Sequence, residues 1–217
     1  MAQLLLALAA PPAPAFDNFV TGRNAALVAA LRAFAHGAPD RCVYLWGLPG
    51  SGRSHLLAAW RTTWLAACVQ VGVEFSAQDA TIHDDVDQLD DAAQIALFKR
   101  INAARAGQGH VLMAGNAAPA QLALRDDLKS RIAWGLSFEV LPLTDAEREA
   151  AVRAQAQARG MTLGTEVIAY IMTHVRRDMA TLSGIVAALD AFSLEHQRPV
   201  TLPLVRELLA QTRDLDL

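Results

Sequence analysis

Residues 41–54, RCVYLWGLPGSGRS, decide the fold of this chain. The apolar run at 41–46, bounded by polar and glycine residues, predicts a buried strand. GLPGSGRS then follows the phosphate-binding P-loop pattern G-x-x-x-x-G-K-[ST], with Arg53 in the lysine position. The next stretch, HLLAAWRTTWLAA, has helical spacing of its apolar residues. A strand, a glycine-rich loop and a helix in this order predict that backbone N–H groups and the helix N-terminus bind phosphate, although a ligand-free glycine turn remains an alternative.

The substitution at Arg53 affects the chemistry expected of this loop. Arginine keeps the positive charge and can bind phosphate through two N–H groups, but it is bulkier and less mobile than lysine. We therefore expect ATP or ADP to bind and intrinsic hydrolysis to be weak or absent. The Ser54 hydroxyl is suited to Mg²⁺, which is the expected metal. The predicted nucleotide-binding residues of the loop are Gly47, Leu48, Pro49, Gly50, Ser51, Gly52, Arg53, Ser54 and His55.

Polar residues that follow two later predicted segments are candidates for contacts with the metal, the attacking water and the γ-phosphate. Asp84 is expected to hold the metal through water, and Asp85 to orient or activate an attacking water. Asn116, at the end of the predicted strand HVLMAGN, is expected near the γ-phosphate or that water. An acidic surface loop is the alternative for the two aspartates, and a turn before Pro119 is the alternative for Asn116. The residues before Asp84, ATIH, are unusually polar for a buried strand.

The composition indicates a globular chain rather than a nucleic-acid-coating or disulfide-rich one. Of 217 residues, 53% are hydrophobic and 19% charged, and the net charge is −3. Clustered cations are needed to neutralise phosphate backbones, so a slightly acidic chain is a poor candidate for non-specific nucleic-acid binding. Cys42 and Cys68 lack disulfide or metal-ligand spacing. No apolar run approaches the roughly 20 residues of a membrane span, so no membrane association is expected.

The order of the predicted elements divides the chain. Strands alternate with helices up to Pro142, which predicts an α/β domain with a parallel sheet flanked by helices, and only helices follow from Thr144. Residues 1–15 fit a secretory signal poorly because no Lys or Arg precedes the apolar run. A cytoplasmic protein is therefore expected. The predicted divisions are a tail at 1–10, a Pro/Ala linker at 11–15, a P-loop domain at 16–142 and a small all-α lid at 143–217.

The chain resembles the Hda family of DnaA-related AAA+ proteins. Residues 16–31, FDNFVTGRNAALVAAL, resemble the entry segment of DnaA-type initiators, and residues 50–57, GSGRSHLL, resemble the Hda P-loop, which also has Arg in place of Lys. Residues 124–148, LRDDLKSRIAWGLSFEVLPLTDAER, resemble the segment of the family that carries its arginine finger. The resemblance extends from Gln3 to about Leu209 and implies an AAA+ P-loop domain with a central parallel sheet, followed by a small helical lid.

This resemblance implies a negative regulator of replication initiation. Its members bind the bacterial sliding clamp (the polymerase β subunit) on DNA and stimulate hydrolysis of the ATP bound to DnaA. Arg131 would be the catalytic finger delivered to the partner's nucleotide, with ADP resident in the chain's own P-loop. An ion pair between Arg131 and a nearby aspartate (Asp126 or Asp127) is the alternative. The clamp-binding motif, QLxLxL, would consist of Gln3, Leu4, Leu6 and Leu8, although a tail packed on the core is also open.

The resemblance has three departures. The region between the P-loop helix and Asp84 is short, and the strand before Asp84 is polar. Ala180 stands where the lid arginine of the family is expected, and Arg177, one helical turn earlier, is the candidate replacement.

Three other functions are alternatives to the regulator. One is an adaptor that bridges clamp and partner without stimulating hydrolysis, and another is an AAA+ ATPase or loader that uses its own hydrolysis. A DnaA-type initiator is disfavoured because no basic recognition helix follows the lid before Leu217. No direct sequence-specific DNA binding is therefore expected, and a homodimer is an open prediction.

Overall fold

The computed structural model describes residues 12–70 and 79–213. The predicted tail at 1–10 lies outside the described residues, as does part of the short region before Asp84. The described chain divides into two compact units: an N-terminal unit, Pro14–Pro142, and a C-terminal unit that begins at Leu143.

The elements of the N-terminal unit alternate as the sequence predicts. Its strands are β1 (Cys42–Trp46), β2 (Ala80–His83), β3 (His110–Gly115) and β4 (Leu136–Glu139). Its helices are α1 (Ala25–Ala35), α2 (Arg53–Gln70), α3 (Asp91–Arg105) and α4 (Asp126–Ile132). The C-terminal unit contains α5 (Asp145–Ala158), α6 (Thr165–His174), α7 (Met179–His196) and α8 (Leu202–Arg213). The sequence SFEVLP predicts a last strand from Ser137 to Pro142, whereas β4 begins one residue earlier, at Leu136, and ends three residues earlier, at Glu139.

The four described strands form one parallel sheet in the order β2-β3-β1-β4. This confirms the predicted α/β fold with a parallel sheet flanked by helices. Because all strands run the same way, their carboxyl ends meet at one edge, where Trp46 lies beside Gly115 and His83 beside Met113. Ligands of open α/β sheets bind outside this edge, so the topology alone indicates where a site belongs.

Alternating side chains of β1 separate two hydrophobic cores. Val43 and Leu45 contribute to a cluster formed with α1 and α2, whereas Cys42 and Tyr44 contribute to a cluster formed with α3 and α4. This alternation follows from the two-residue period of a strand, and it places helices on both faces of the sheet.

The polar character of β2 follows from its position. Among the described strands, β2 lies at an edge and pairs only with β3, and all four of its residues are half-buried. An edge strand does not need the fully apolar sequence of a central one. The polar ATIH stretch is therefore compatible with a strand that leads directly to Asp84.

The C-terminal unit is a compact helical domain with its own core. Its first helix begins at a capping box: the Glu147 N–H donates to Thr144 Oγ1 at 3.2 Å, and the Thr144 N–H donates to Glu147 Oε2 at 2.7 Å. Side chains from all four helices, among them Val152, Ile171 and Leu189, are fully buried in one cluster. Within the described residues, no helix combines the length and apolar character needed to cross a bilayer.

Candidate nucleotide-binding site

The loop between β1 and α2 has the backbone geometry that a phosphate cradle needs. A Cβ at Gly47 would lie 2.6 Å from the Val140 carbonyl oxygen, so only glycine lets these two backbone segments approach. Gly52 has φ +99°, and a Cβ there would lie 2.8 Å from the Phe19 ring. α2 begins immediately afterwards, at Arg53, so the N–H groups of its first turn, which have no partner within the helix, point toward the loop.

Ser54 and Asp84 meet at the carboxyl edge of the sheet. The Ser54 hydroxyl donates a hydrogen bond to Asp84 Oδ2 at 2.6 Å, and the Asp85 N–H donates to Asp84 Oδ1 at 3.0 Å. The sequence predicted these two residues as metal ligands from separate motifs, and the fold brings them together. A hydroxyl and a carboxylate oxygen suit Mg²⁺, which takes most of its other ligands from phosphate and water. The described residues contain no cluster of three or more His, Cys, Asp or Glu side chains that could hold a metal ion.

Arg53 lies in the site with an unsatisfied donor. Its side chain is only 10% exposed, Nη2 lies 3.7 Å from Asp85 Oδ1, and buried Nη1 has no hydrogen-bond partner among the described residues. A buried donor left unpaired costs about 1–3 kcal/mol, and a phosphate oxygen is an acceptor that would remove this cost. The orphaned guanidinium therefore fits a bound nucleotide.

Asp85 adopts a left-handed backbone conformation, with φ 48° and ψ 50°. Such a conformation is uncommon for residues other than glycine, and it is often found at functional sites. Here it follows Asp84 directly and turns the Asp85 carboxylate toward Arg53, so the residue expected to orient water is paired with the loop arginine.

Asp87 and Tyr44 shape the turn that carries Asn116. The Asn116 N–H donates to Asp87 Oδ1 at 3.0 Å, and the Tyr44 hydroxyl donates to the Ala117 carbonyl oxygen at 2.7 Å. Burial, and secondarily the nearby Asp87 carboxylate, raise the pKa of Tyr44, so its hydroxyl remains a donor. The exposed Asn116 side chain thus starts from a fixed backbone at the carboxyl end of β3. The positioning role of Tyr44 is not predictable from an apolar strand sequence.

The segment before β1 contacts both the loop helix and the end of the sheet. His55 Nε2 lies 3.0 Å from the Ala15 carbonyl oxygen, and the Phe19 and His55 ring centroids are 5.5 Å apart. The Asn24 side chain donates to the Leu141 carbonyl oxygen and accepts from the Leu141 N–H, both at 2.9 Å. Sequence reasoning missed Asn24, because an Asn before a helix indicates a cap, whereas this side chain makes no cap hydrogen bond.

Arg131 is not bound to the acids beside it in the sequence. Asp126 pairs with Lys129 at 2.8 Å and Asp127 with Arg125 at 3.0 Å. The Arg131 guanidinium instead lies 3.5 Å from the centroid of the Trp134 ring, and its buried Nε has no partner within the described residues. The alternative of a local ion pair is therefore not realised in this structure.

Arg177, the candidate substitute for the lid arginine, makes contacts within the C-terminal unit. Its Nη1 donates to Asp145 Oδ2 at 2.9 Å and its Nε donates to the Met172 carbonyl oxygen at 3.1 Å. Ala180, at the position expected for that arginine, lies in the first turn of α7. The predicted clamp-binding residues, Gln3, Leu4, Leu6 and Leu8, lie outside the described residues.

Comparisons with known proteins identify the lid and the fold. A family model for the lid domain of Hda matches residues 145–209. Domain III of the replication initiation protein DnaA from Thermotoga maritima is similar with a TM-score of 0.69 and 21% identity over 92% of this chain and 97% of that one. AMPPCP-bound DnaA from Aquifex aeolicus has a TM-score of 0.66 and 19% identity over 85% and 67% of the two chains. A RuvB variant from Thermotoga maritima has a TM-score of 0.64 and 13% identity over 91% and 71%. At these identities, the likeness to solved structures shows the fold.

Proposed function

Because residues 145–209 match the lid domain of Hda and the chain has the fold of DnaA domain III, we propose that it is an AAA+ protein of this kind and a negative regulator of replication initiation. Held on the DNA-loaded sliding clamp, it delivers Arg131 to the ATP bound by DnaA and promotes hydrolysis of that ATP. The product, ADP-bound DnaA, no longer initiates replication. The chemistry takes place on the partner's nucleotide, and this chain supplies the cation.

The observation that carries the proposal is that the Arg131 guanidinium is stacked on Trp134 but is not neutralised by a carboxylate among the described residues. The charged neighbours of Arg131 in α4 are paired: Asp126 with Lys129, and Asp127 with Arg125. Arg131 itself makes no ion pair or hydrogen bond within the described residues. A positively charged group delivered to the phosphate charge that develops in the transition state raises a slow hydrolysis by roughly 10³–10⁵. A cation already neutralised by a carboxylate would lose most of this effect.

The chain's own P-loop supports nucleotide binding more than turnover. The orphaned Arg53 donor, the Ser54–Asp84 pair and the AMPPCP bound to a DnaA of similar fold all support an adenine nucleotide with Mg²⁺. When bound, the metal would neutralise phosphate charge, and Ser54 and Asp84 would hold it. Asp85, however, is paired with Arg53 rather than free to orient water. We infer that ADP persists in this site.

The tail carries the proposed clamp contact. A glutamine offers both donors and acceptors, and Leu4, Leu6 and Leu8 offer apolar side chains for a hydrophobic groove. We infer from its proline content that the following PPAPA sequence would act as a stiff spacer between this tail and the N-terminal unit.

The test measures hydrolysis of radiolabelled ATP on DnaA in the presence of this protein and DNA-loaded clamp. Wild-type protein is expected to accelerate hydrolysis only when the clamp is present, and Gln3→Ala is expected to lose the effect. Arg131→Ala is expected to keep clamp and DnaA binding yet lose stimulation. Arg125→Ala is the matched control, because Arg125 lies at the start of the same helix but is paired with Asp127.

Each failure of this test has a distinct meaning. Full stimulation by Arg131→Ala would refute the assignment of the finger. Clamp and DnaA binding without stimulation by the wild-type protein would favour the adaptor. Hydrolysis of the chain's own ATP at a rate that explains all phosphate released would favour an ATPase or loader.

A further inference from the structure

Trp134 lies between two arginines. The guanidinium carbon of Arg105 lies 3.8 Å from the Trp134 ring centroid, and that of Arg131 lies 3.5 Å from it. Two planar groups this close to one centroid would overlap if they shared a face, so they cover opposite faces. The ring is nevertheless 50% exposed. Because both faces of this exposed tryptophan ring are covered, a nucleotide base cannot stack on it, and a ligand can reach only the ring edge and the two cations.

A surface cavity of about 370 Å³ adjoins this stack. Three arginines line it, Arg41 before β1, Arg105 at the end of α3 and Arg131 in α4, together with Trp134. We call this group of residues the arginine cavity. Its volume is within the range of small-molecule sites, roughly 300–1,000 Å³.

The arginine cavity carries an excess of positive charge. Asp40 is the acidic residue of its lining, and within the described residues none of the three arginines lies in a salt bridge. Arg41 Nη1 lies 3.0 Å from His110 Nε2, and burial followed by the Arg41 charge lowers the pKa of this histidine. The neutral ring accepts the Arg41 hydrogen bond without cancelling its charge.

This arrangement favours a ligand with several negative charges close together. Guanidinium groups that line one cavity repel one another, and a polyanion that bridges them past the edge of the Trp134 ring converts that repulsion into attraction. Guanidinium groups bind phosphate oxygens through paired N–H donors, and stacking on Trp134 holds two of the three in fixed orientations before the ligand arrives. A phosphate chain carries several negative charges on adjacent groups and can contact more than one arginine at once, whereas a single carboxylate would satisfy only one arginine.

We propose that the arginine cavity binds the phosphate chain of a nucleotide presented by a partner protein, with Arg105 and Arg41 as ligands beside Arg131. The identity of the partner rests on the function proposed above, whereas phosphate binding by the cavity does not. Arg131 contacts the phosphate that is transferred, and Arg105 and Arg41 hold the remaining phosphates. Trp134 is a positioning residue, because it acts through the two arginines stacked on it.

The first experiment measures binding of tripolyphosphate to the full chain by calorimetry, with ADP and Mg²⁺ saturating the P-loop. Wild-type protein is expected to bind, and Arg105→Gln and Arg41→Gln are each expected to weaken binding about tenfold or more, as loss of a charge-assisted hydrogen bond predicts. Arg61→Gln, an exposed arginine of α2 outside the cavity, is the matched control and is expected to bind within about twofold of wild type. Unchanged binding by Arg105→Gln, or no binding by wild-type protein, would overturn the proposal.

The second experiment measures hydrolysis of DnaA-bound ATP with the same variants, after circular dichroism has established that each is folded. Arg105→Gln is expected to reduce stimulation about tenfold, and Arg105→Lys to restore part of it because the charge returns. If Arg105→Gln stimulates fully while Arg131→Ala does not, the further ligand role is wrong and the proposed function stands. If wild-type protein does not stimulate but binds tripolyphosphate through Arg105, the proposed function is wrong and the cavity stands.

Discussion

Replacement of Asn24 by alanine tests how much the contact between Asn24, before α1, and Leu141, after β4, stabilises the N-terminal unit. Asn24 is 4% exposed, and its amide bridges both backbone groups of Leu141 with two hydrogen bonds of 2.9 Å. The variant loses two bonds of about 1 kcal/mol each and leaves a partly buried N–H and C=O unpaired, so we expect the free energy of unfolding to fall by about 2–4 kcal/mol. Since domains are stable by only about 5–15 kcal/mol, this is a large fraction.

Tryptophan fluorescence makes this measurement specific to one unit. All four tryptophans of the chain, Trp46, Trp60, Trp64 and Trp134, lie in the N-terminal unit. Urea unfolding followed by their emission therefore reports that unit, while far-ultraviolet circular dichroism reports both. Asn24→Ala is expected to shift the fluorescence transition to lower urea concentration.

Two further variants separate this explanation from a general effect of mutation. Arg23→Ala removes one exposed hydrogen bond to the Pro142 carbonyl oxygen and is expected to change stability by less than about 0.5 kcal/mol. Asn24→Asp keeps the acceptor but sets a carboxylate oxygen against the Leu141 carbonyl, so it should be at least as damaging as alanine. A loss below about 1 kcal/mol for Asn24→Ala, or a loss equal to that of Arg23→Ala, would refute the bridging role.

Three other outcomes are expected. Gly52→Ala should destabilise the protein by about 1–3 kcal/mol more than Gly50→Ala. Both substitutions strain a positive φ, but only the first brings a Cβ into the Phe19 ring. Urea unfolding measures the loss of stability, and ADP titration measures the change in ADP affinity. Tyr44→Phe should cost about 1–2 kcal/mol in the same unfolding assay, because it leaves a carbonyl oxygen unpaired beside Asn116. Burial and then Arg41 lower the pKa of His110 below its ordinary value of 6.5, so the unfolded chain binds a proton before the folded chain does as the pH falls. The free energy of unfolding should therefore drop from pH 7 to pH 5. His110→Gln should reduce that pH dependence in thermal melts.

The local parts of the fold were predictable from the sequence. The P-loop lies where its glycines indicate because a strand, a tight turn and a helix N-terminus depend on neighbours in the chain. The capping box at Thr144 is equally local, and its acids and hydroxyl are separated by one turn. The approach of Ser54 to Asp84 was expected from two motifs that parallel strands bring to the same edge.

The remainder depends on contacts between distant residues. Nothing local to Asn24 indicates that its amide pairs with Leu141. The polar sequence of β2 becomes understandable only once its position at the edge of the four described strands is known. The stack of Arg105 and Arg131 on Trp134 joins the ends of two helices that the sequence separates. Side chains that meet in this way carry no periodic signal, so only the tertiary structure identifies them.

The strand order of the sheet has a consequence for synthesis of the protein on the ribosome. Among the described strands, β1 leaves the ribosome first, yet Val43 pairs with Leu112 on one side and Leu136 on the other. Until β4 has emerged, the nascent chain presents an apolar strand with an unpaired edge, which favours aggregation and capture by chaperones. We expect a ribosome-bound chain to become resistant to protease in one late step, after Pro142 clears the exit tunnel, rather than strand by strand.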